Sequence, residues 1–182
     1  MIVFRHVDRR RPFLWESELQ PAGRWHAAGE GPVHYFAETP DAAWAEFLRH
    51  EGITDPADLA GISRSLWAVD LPEPPTTEPG LSDATMTGDY PTYRSCQAEA
   101  RRLRDAGAGG LVAPSAAVSG AVGSGFRTDG GLRRGGRRAE HVFVLFGGRP
   151  DLVGWAACAD GRPRDDLLVR VRHFPGTRRP PA

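Results

Sequence analysis

The 182-residue sequence predicts a single α+β domain, and three observations carry that reading. Strand-like and helix-like segments are intermixed, without the regular strand–helix–strand order of a doubly wound sheet. No segment repeats. Hydrophobic content of 40% and charged content of 25% are globular values, and a chain of this length buries roughly 70% of its unfolded surface.

The elements follow in order. "MIVFRHV" reads as a first strand, and "DRRRPFLWESELQPAGRW" is too broken by proline and glycine for a long element. "VHYFAE" is a short strand with Val33, Tyr35 and Ala37 on one face and His34, Phe36 and Glu38 on the other. Thr39-Pro40-Asp41 starts a helix: a capping hydroxyl, proline at the first helical position and an acid in the first turn. Its apolar stripe is Ala43, Trp44, Phe47 and Leu48, with Glu46 beside it. "SLWAVDL" is a strand, and the proline-, threonine- and glycine-rich stretch after it reads as a long connection. A second helix runs from about Thr92 to Ala106, with Tyr93, Gln97, Ala100 and Leu103 inward and Gly107 closing it. "GGLVAPSAA" is a short buried strand ending at Pro114-Ser115.

Residues 118–140 form a glycine- and arginine-rich loop, expected to be flexible because fixing each residue costs ~1–2 kcal/mol with little to bury. It is expected to serve either as a lid or docking segment or as an inert insertion. "HVFVLF", "DLVGWAAC" and "LLVRVRHF" read as three closing strands, and residues 175–182 as a disordered tail after a domain of residues 1–174.

Composition excludes several classes. All 23 basic residues are arginine, so no lysine is present to form a Schiff base. Formal net charge is zero, which gives no general attraction to nucleic acid. The run "LRRGGRR" lacks interleaved aromatics, so it reads as a solvated loop. Two distant cysteines make neither a disulfide framework nor a metal pair. His26, His34 and Glu38 lack metal-ligand spacing, and no metal is expected. There is no GxSxG, HExxH or GxxxxGK[ST] motif. No apolar run approaches the ~20 residues that span a bilayer, and the start of the chain is charged from residue 5. A cytoplasmic setting is expected.

Four residues are candidates for chemistry. Arg24 follows Gly23 in a turn, and its planar fork suits two phosphate oxygens. Tyr35 offers an aromatic face. Glu46 offers a carboxylate and Ser115 a hydroxyl. Taken singly, each also has an ordinary reading: a solvated loop arginine, a core tyrosine, a wet helix face and a turn serine.

Their order adds information. "GRWHAAGEGPVHYFAETPDAAWAEF", then "CQAEARRLRDAGAGGLVAPSA", then "HVFVLF" resemble successive blocks of the RES domain family, named for an arginine, a glutamate and a serine. The resemblance covers roughly residues 1–148 and carries those roles to Arg24, Glu46 and Ser115, with Tyr35 as the accompanying aromatic. His26 and His141 stand where the family has asparagine. The resemblance implies an ADP-ribosyltransferase-like fold, a mixed sheet with flanking helices. It also implies NAD⁺ as substrate with no cofactor required, and a toxin with a cognate antitoxin as partner. The implied reaction is cleavage of the nicotinamide–ribose bond by water or phosphate. Transfer of ADP-ribose and a silent partner-binding module are the alternatives.

Overall fold

The computed structural model describes residues 1–118, 125–136 and 139–174. Its strands are β1 (Ile2–Val7), β2 (Val33–Ala37), β3 (Arg64–Asp70), β4 (Gly110–Pro114), β5 (Phe126–Thr128), β6 (Leu132–Arg134), β7 (His141–Phe146) and β8 (Val153–Gly161). The helices are α1 (Pro40–Glu51), α2 (Asp83–Thr87) and α3 (Tyr93–Asp105). Six strands form one sheet in the order β4-β7-β2-β1-β3-β8.

Every pairing in that sheet is antiparallel, in place of the expected mixture. The connections explain this. α1 carries the chain from β2 across β1 to β3, so the two strands that share one direction flank β1 and never meet.

The period-2 pattern sorts the side chains. Val3, Phe36, Val69, Phe143 and Leu145 share one face, covered by Phe13 and Leu14 of the broken loop after β1. The other face takes both long helices. α1 buries Trp44, Phe47 and Leu48 there, and α3 buries Cys96, Ala100 and Leu103 against Leu111 and Val144. Thr39 caps α1, accepting from the Ala42 N–H at 3.1 Å. Gly52 ends it with φ 66°, a left-handed conformation suited to glycine.

β1 and β3 pair along six residues, from Ile2–Asp70 to Val7–Ser65. β1 and β2 pair only at Phe4–Ala37. The sheet is therefore nearly split in its middle.

Three expectations are corrected. The last expected strand, "LLVRVRHF", is instead a short 3-10 helix at Asp165–Arg170. Leu167 and Leu168 are both buried while Val169 is 88% exposed, which alternation does not permit. The connection after β3 contains α2, whose Ser82 caps it, and a 3-10 turn at Tyr90–Thr92. The stretch at 118–140, read as one loop, contains β5 and β6, which form an exposed hairpin turned through Gly130 and Gly131 at positive φ. Residues 119–124 and 137–138 of that loop, and the tail at 175–182, lie outside the described residues.

Candidate active site

Glu46 and Ser115 meet although 69 residues separate them. Ser115 Oγ donates to Glu46 Oε1 at 2.6 Å. The backbone N–H groups of Ala116 and Ala117 donate to the same oxygen at 3.1 and 3.3 Å. The end of β4 thus holds one carboxylate oxygen with three donors. Oε2 has no hydrogen-bond partner among the described residues, and Glu46 lines a cavity of about 380 Å³. Ser115 is buried, and its hydroxyl is committed to Glu46.

Arg24 lies in a tight turn closed by the Gly23 N–H donating to the His26 carbonyl at 3.0 Å. A Cβ on Gly23 would stand 2.8 Å from both the Tyr35 hydroxyl and the His26 ring, so the close approach requires glycine. Gln97 of α3 donates to the carbonyls of Gly23 and His26 at 2.9 and 3.1 Å. The Tyr35 hydroxyl accepts from the Trp25 N–H at 3.0 Å and lies 2.8 Å from His26 Nδ1. His26 Nε2 is 2.9 Å from the Pro21 carbonyl. A carbonyl only accepts, so Nε2 carries the proton and Nδ1 receives the tyrosine proton. Burial lowers the His26 pKa, consistent with a neutral ring. Burial likewise pushes the Tyr35 phenol up. Tyr35 lines the cavity, but its hydroxyl is the pin of the arginine turn.

The turn directs Arg24 toward the start of α3. Its guanidinium donates to the Gly88 carbonyl at 2.7 Å and to Thr92 Oγ1 at 3.2 Å, and lies 4.5 Å from the centre of the Tyr93 ring. Arg49 converges on the same carbonyl. Its Nη2 donates to Gly88 O at 2.8 Å and meets Asp89 Oδ1 at 3.3 Å, and its Nη1 donates to the Arg172 carbonyl. Phe174 stacks on its face at 4.2 Å. Burial, then the Arg24 charge, lowers the Arg49 pKa. Two buried guanidinium groups and the Glu46 carboxylate therefore line one cavity.

The sequence reading missed Arg49 and gave Tyr93 to the core. Arg49 has a local signal, because it lies one turn after Glu46 on the same helix edge. Its partners Gly88 and Arg172 are tertiary, and no sequence pattern announces them. His141 is accommodated too: its backbone N–H and ring Nδ1 both reach Glu38 Oε2 at 3.0 Å. Among the described residues no cluster of His, Cys, Asp or Glu is placed to hold a metal ion. No helix among them is long and apolar enough to cross a membrane.

No curated protein matches the chain significantly. Among solved structures, a chain of the M. tuberculosis MbcT–MbcA toxin–antitoxin complex superposes with a TM-score of 0.60 at 18% identity. The superposition covers 94% of this chain and 88% of the other, and at that identity it speaks for the fold. The RES domain matches residues 3–125, a span that includes Arg24, Tyr35, Glu46 and Ser115. That span is well over half of the sequence, and the chain belongs to the RES domain family.

Proposed function

We propose that this protein cleaves the nicotinamide–ribose bond of NAD⁺ and acts as the toxin of a toxin–antitoxin pair. The observation that carries the reading is the Glu46 carboxylate. One of its oxygens is fixed by three donors, and the other has no partner among the described residues, in a cavity that also holds Arg24 and Arg49.

The chemistry follows from the substrate. Nicotinamide in NAD⁺ is already cationic and leaves without a general acid. The barrier is the oxocarbenium-like ribose, whose growing positive charge a preorganised carboxylate stabilises. Glu46 Oε2 is assigned that role. Ser115 acts through Glu46 as a positioning residue. Arg24 and Arg49 attract the pyrophosphate and orient the scissile bond. Tyr35 holds the Arg24 turn and presents its ring to the cavity. The partner is inferred from the fold relative, which occurs in a complex with an antitoxin.

Incubation with NAD⁺ followed by mass analysis tests the reading. Stoichiometric nicotinamide release is expected, with ADP-ribose or its 1-phosphate as the co-product. Intact NAD⁺ after prolonged exposure to folded protein would overturn it. ADP-ribose attached to a protein or small-molecule acceptor would replace it with the transferase reading.

A further inference from the structure

The RES match ends at residue 125, yet part of the cavity wall is Phe174, the last of the described residues. Residues 171–174 run as a strap beside the backbone that holds Glu46. Val118 and Val171 form an antiparallel bridge, and the Arg172 N–H donates to the Ala117 carbonyl at 2.7 Å. The N–H of the same Ala117 donates to Glu46 Oε1 at 3.3 Å. The Arg172 carbonyl in turn accepts from Arg49 Nη1. The reaction proposed above gives this strap no part.

Arg49 depends on the strap. It is 2% exposed, and its Nε is buried with no hydrogen-bond partner among the described residues. Its ion pair is with Asp89, at 3.3 Å. The Arg24 guanidinium shares the Gly88 carbonyl with it, so two like charges meet at one oxygen. The negative faces of aromatic rings offset that repulsion. Phe174 lies against Arg49 at 4.2 Å, and Tyr93 against Arg24 at 4.5 Å. Tyr90 joins the two rings. It stacks on Phe174 with centroids 4.3 Å and planes 19° apart, and it meets Tyr93 at 5.1 Å. Arg49, Phe174, Tyr90, Tyr93, Arg24 and the Gly88 carbonyl thus form a closed loop of contacts. Phe174 is the member supplied from outside the span that the RES domain matches.

We infer that Phe174 is a positioning residue for the proposed reaction: it holds Arg49, and through Tyr90 and Tyr93 also Arg24, where both guanidinium groups can meet a ligand pyrophosphate. An arginine side chain is long and rotates freely, and a ring against its planar face fixes the orientation of the fork. Without the ring, Arg49 is free to swing toward Asp89, whose carboxylate is partly exposed at the rim. The hydrogen bond to the Arg172 carbonyl would loosen with it, since Phe174 anchors the end of the strap. The inference rests on the NAD⁺ reading above, and inorganic pyrophosphate as a second probe separates the two.

The test compares Phe174→Leu, which keeps apolar bulk, with Phe174→Tyr, which keeps the ring. In Phe174→Leu the KM for NAD⁺ should rise roughly tenfold while kcat stays within about threefold of wild type. Phe174→Tyr should restore the wild-type KM. Calorimetry with inorganic pyrophosphate should show the same roughly tenfold weakening and the same rescue. A cycle with Arg49→Gln supplies the third arm. Because Phe174 acts through Arg49, Phe174→Leu should cost almost nothing further in the Arg49→Gln background. Additive losses in that cycle would overturn the inference. So would an unchanged KM in Phe174→Leu, or a wild-type protein that binds no pyrophosphate. A fall in kcat alone that follows a lower Tm would mark Phe174 as ordinary packing and overturn it too. NAD⁺ cleavage with kinetics indifferent to Phe174→Leu removes the positioning role alone. Intact NAD⁺, with pyrophosphate binding that is lost in Phe174→Leu and regained in Phe174→Tyr, removes the NAD⁺ reading alone.

Discussion

Glu46 gives the sharpest expectation at the scale of single residues. Glu46→Gln keeps an oxygen to accept from Ser115, Ala116 and Ala117, so the fold should hold. The charge is lost, and NAD⁺ cleavage should fall on the order of 10²–10³-fold. Full turnover by a folded Glu46→Gln protein would remove Glu46 from the chemistry. Ser115→Ala should do less, about tenfold in kcat with KM little changed, because two backbone donors still hold the carboxylate. Restoration by Ser115→Thr is the check, since a positioning hydroxyl is what threonine returns. Arg24→Lys keeps the charge but loses the fork that reaches both Gly88 and Thr92. Weaker NAD⁺ binding together with a lower Tm is expected, and calorimetry with thermal melts reads both.

Among elements, α1 is the most legible in the sequence, and the reason is physical. Its cap, its proline, its acid and its apolar stripe are all local signals that agree, and the helix spans Pro40–Glu51. Thr39→Ala should cost roughly 1 kcal/mol, read by chemical denaturation, with a matching loss of order where Glu46 is presented. Arg24, Tyr35, Glu46 and Ser115 all prove to lie at or beside one cavity, with Ser115 reaching it through Glu46. The roles of Tyr35 and Arg49 are not legible, because they depend on Trp25, Gly88 and Arg172, partners brought in by the fold. The 3-10 helix at Asp165–Arg170 reads as a strand because a run of Leu and Val mimics alternation. Only contact with α1 decides that two adjacent leucines point inward.

At the scale of the whole molecule, acidity should be the main vulnerability. Burial lowers the pKa of His6, His26 and His34, the last to about 4. His34 accepts from the Trp15 N–H through Nδ1 and donates through Nε2 to the Gly147 carbonyl at 3.1 Å, an arrangement only the neutral ring satisfies. The unfolded chain protonates these rings near pH ~6.5, and the folded chain resists. Their contribution is complete above that pH and is lost as pH falls toward the folded values. Thermal melts from about pH 7.5 to about pH 4.5, a range that brackets the ordinary histidine pKa, should therefore show a steep loss, and His34→Gln should flatten part of it. A flat wild-type profile would contradict the burial of these rings.

The single register pair between β1 and β2 has a mechanical meaning. Counted by strands the sheet is six wide, yet it consists of two three-stranded leaves, β4-β7-β2 and β1-β3-β8, stitched at Phe4–Ala37 and bridged by α1. A joint that narrow is expected to act as a hinge. The backbone amide of His6, which faces β2, should exchange with deuterium faster than those of β7, although both strands lie inside the sheet. A ligand seated between the leaves should slow that exchange, as a wedge stops a door from swinging.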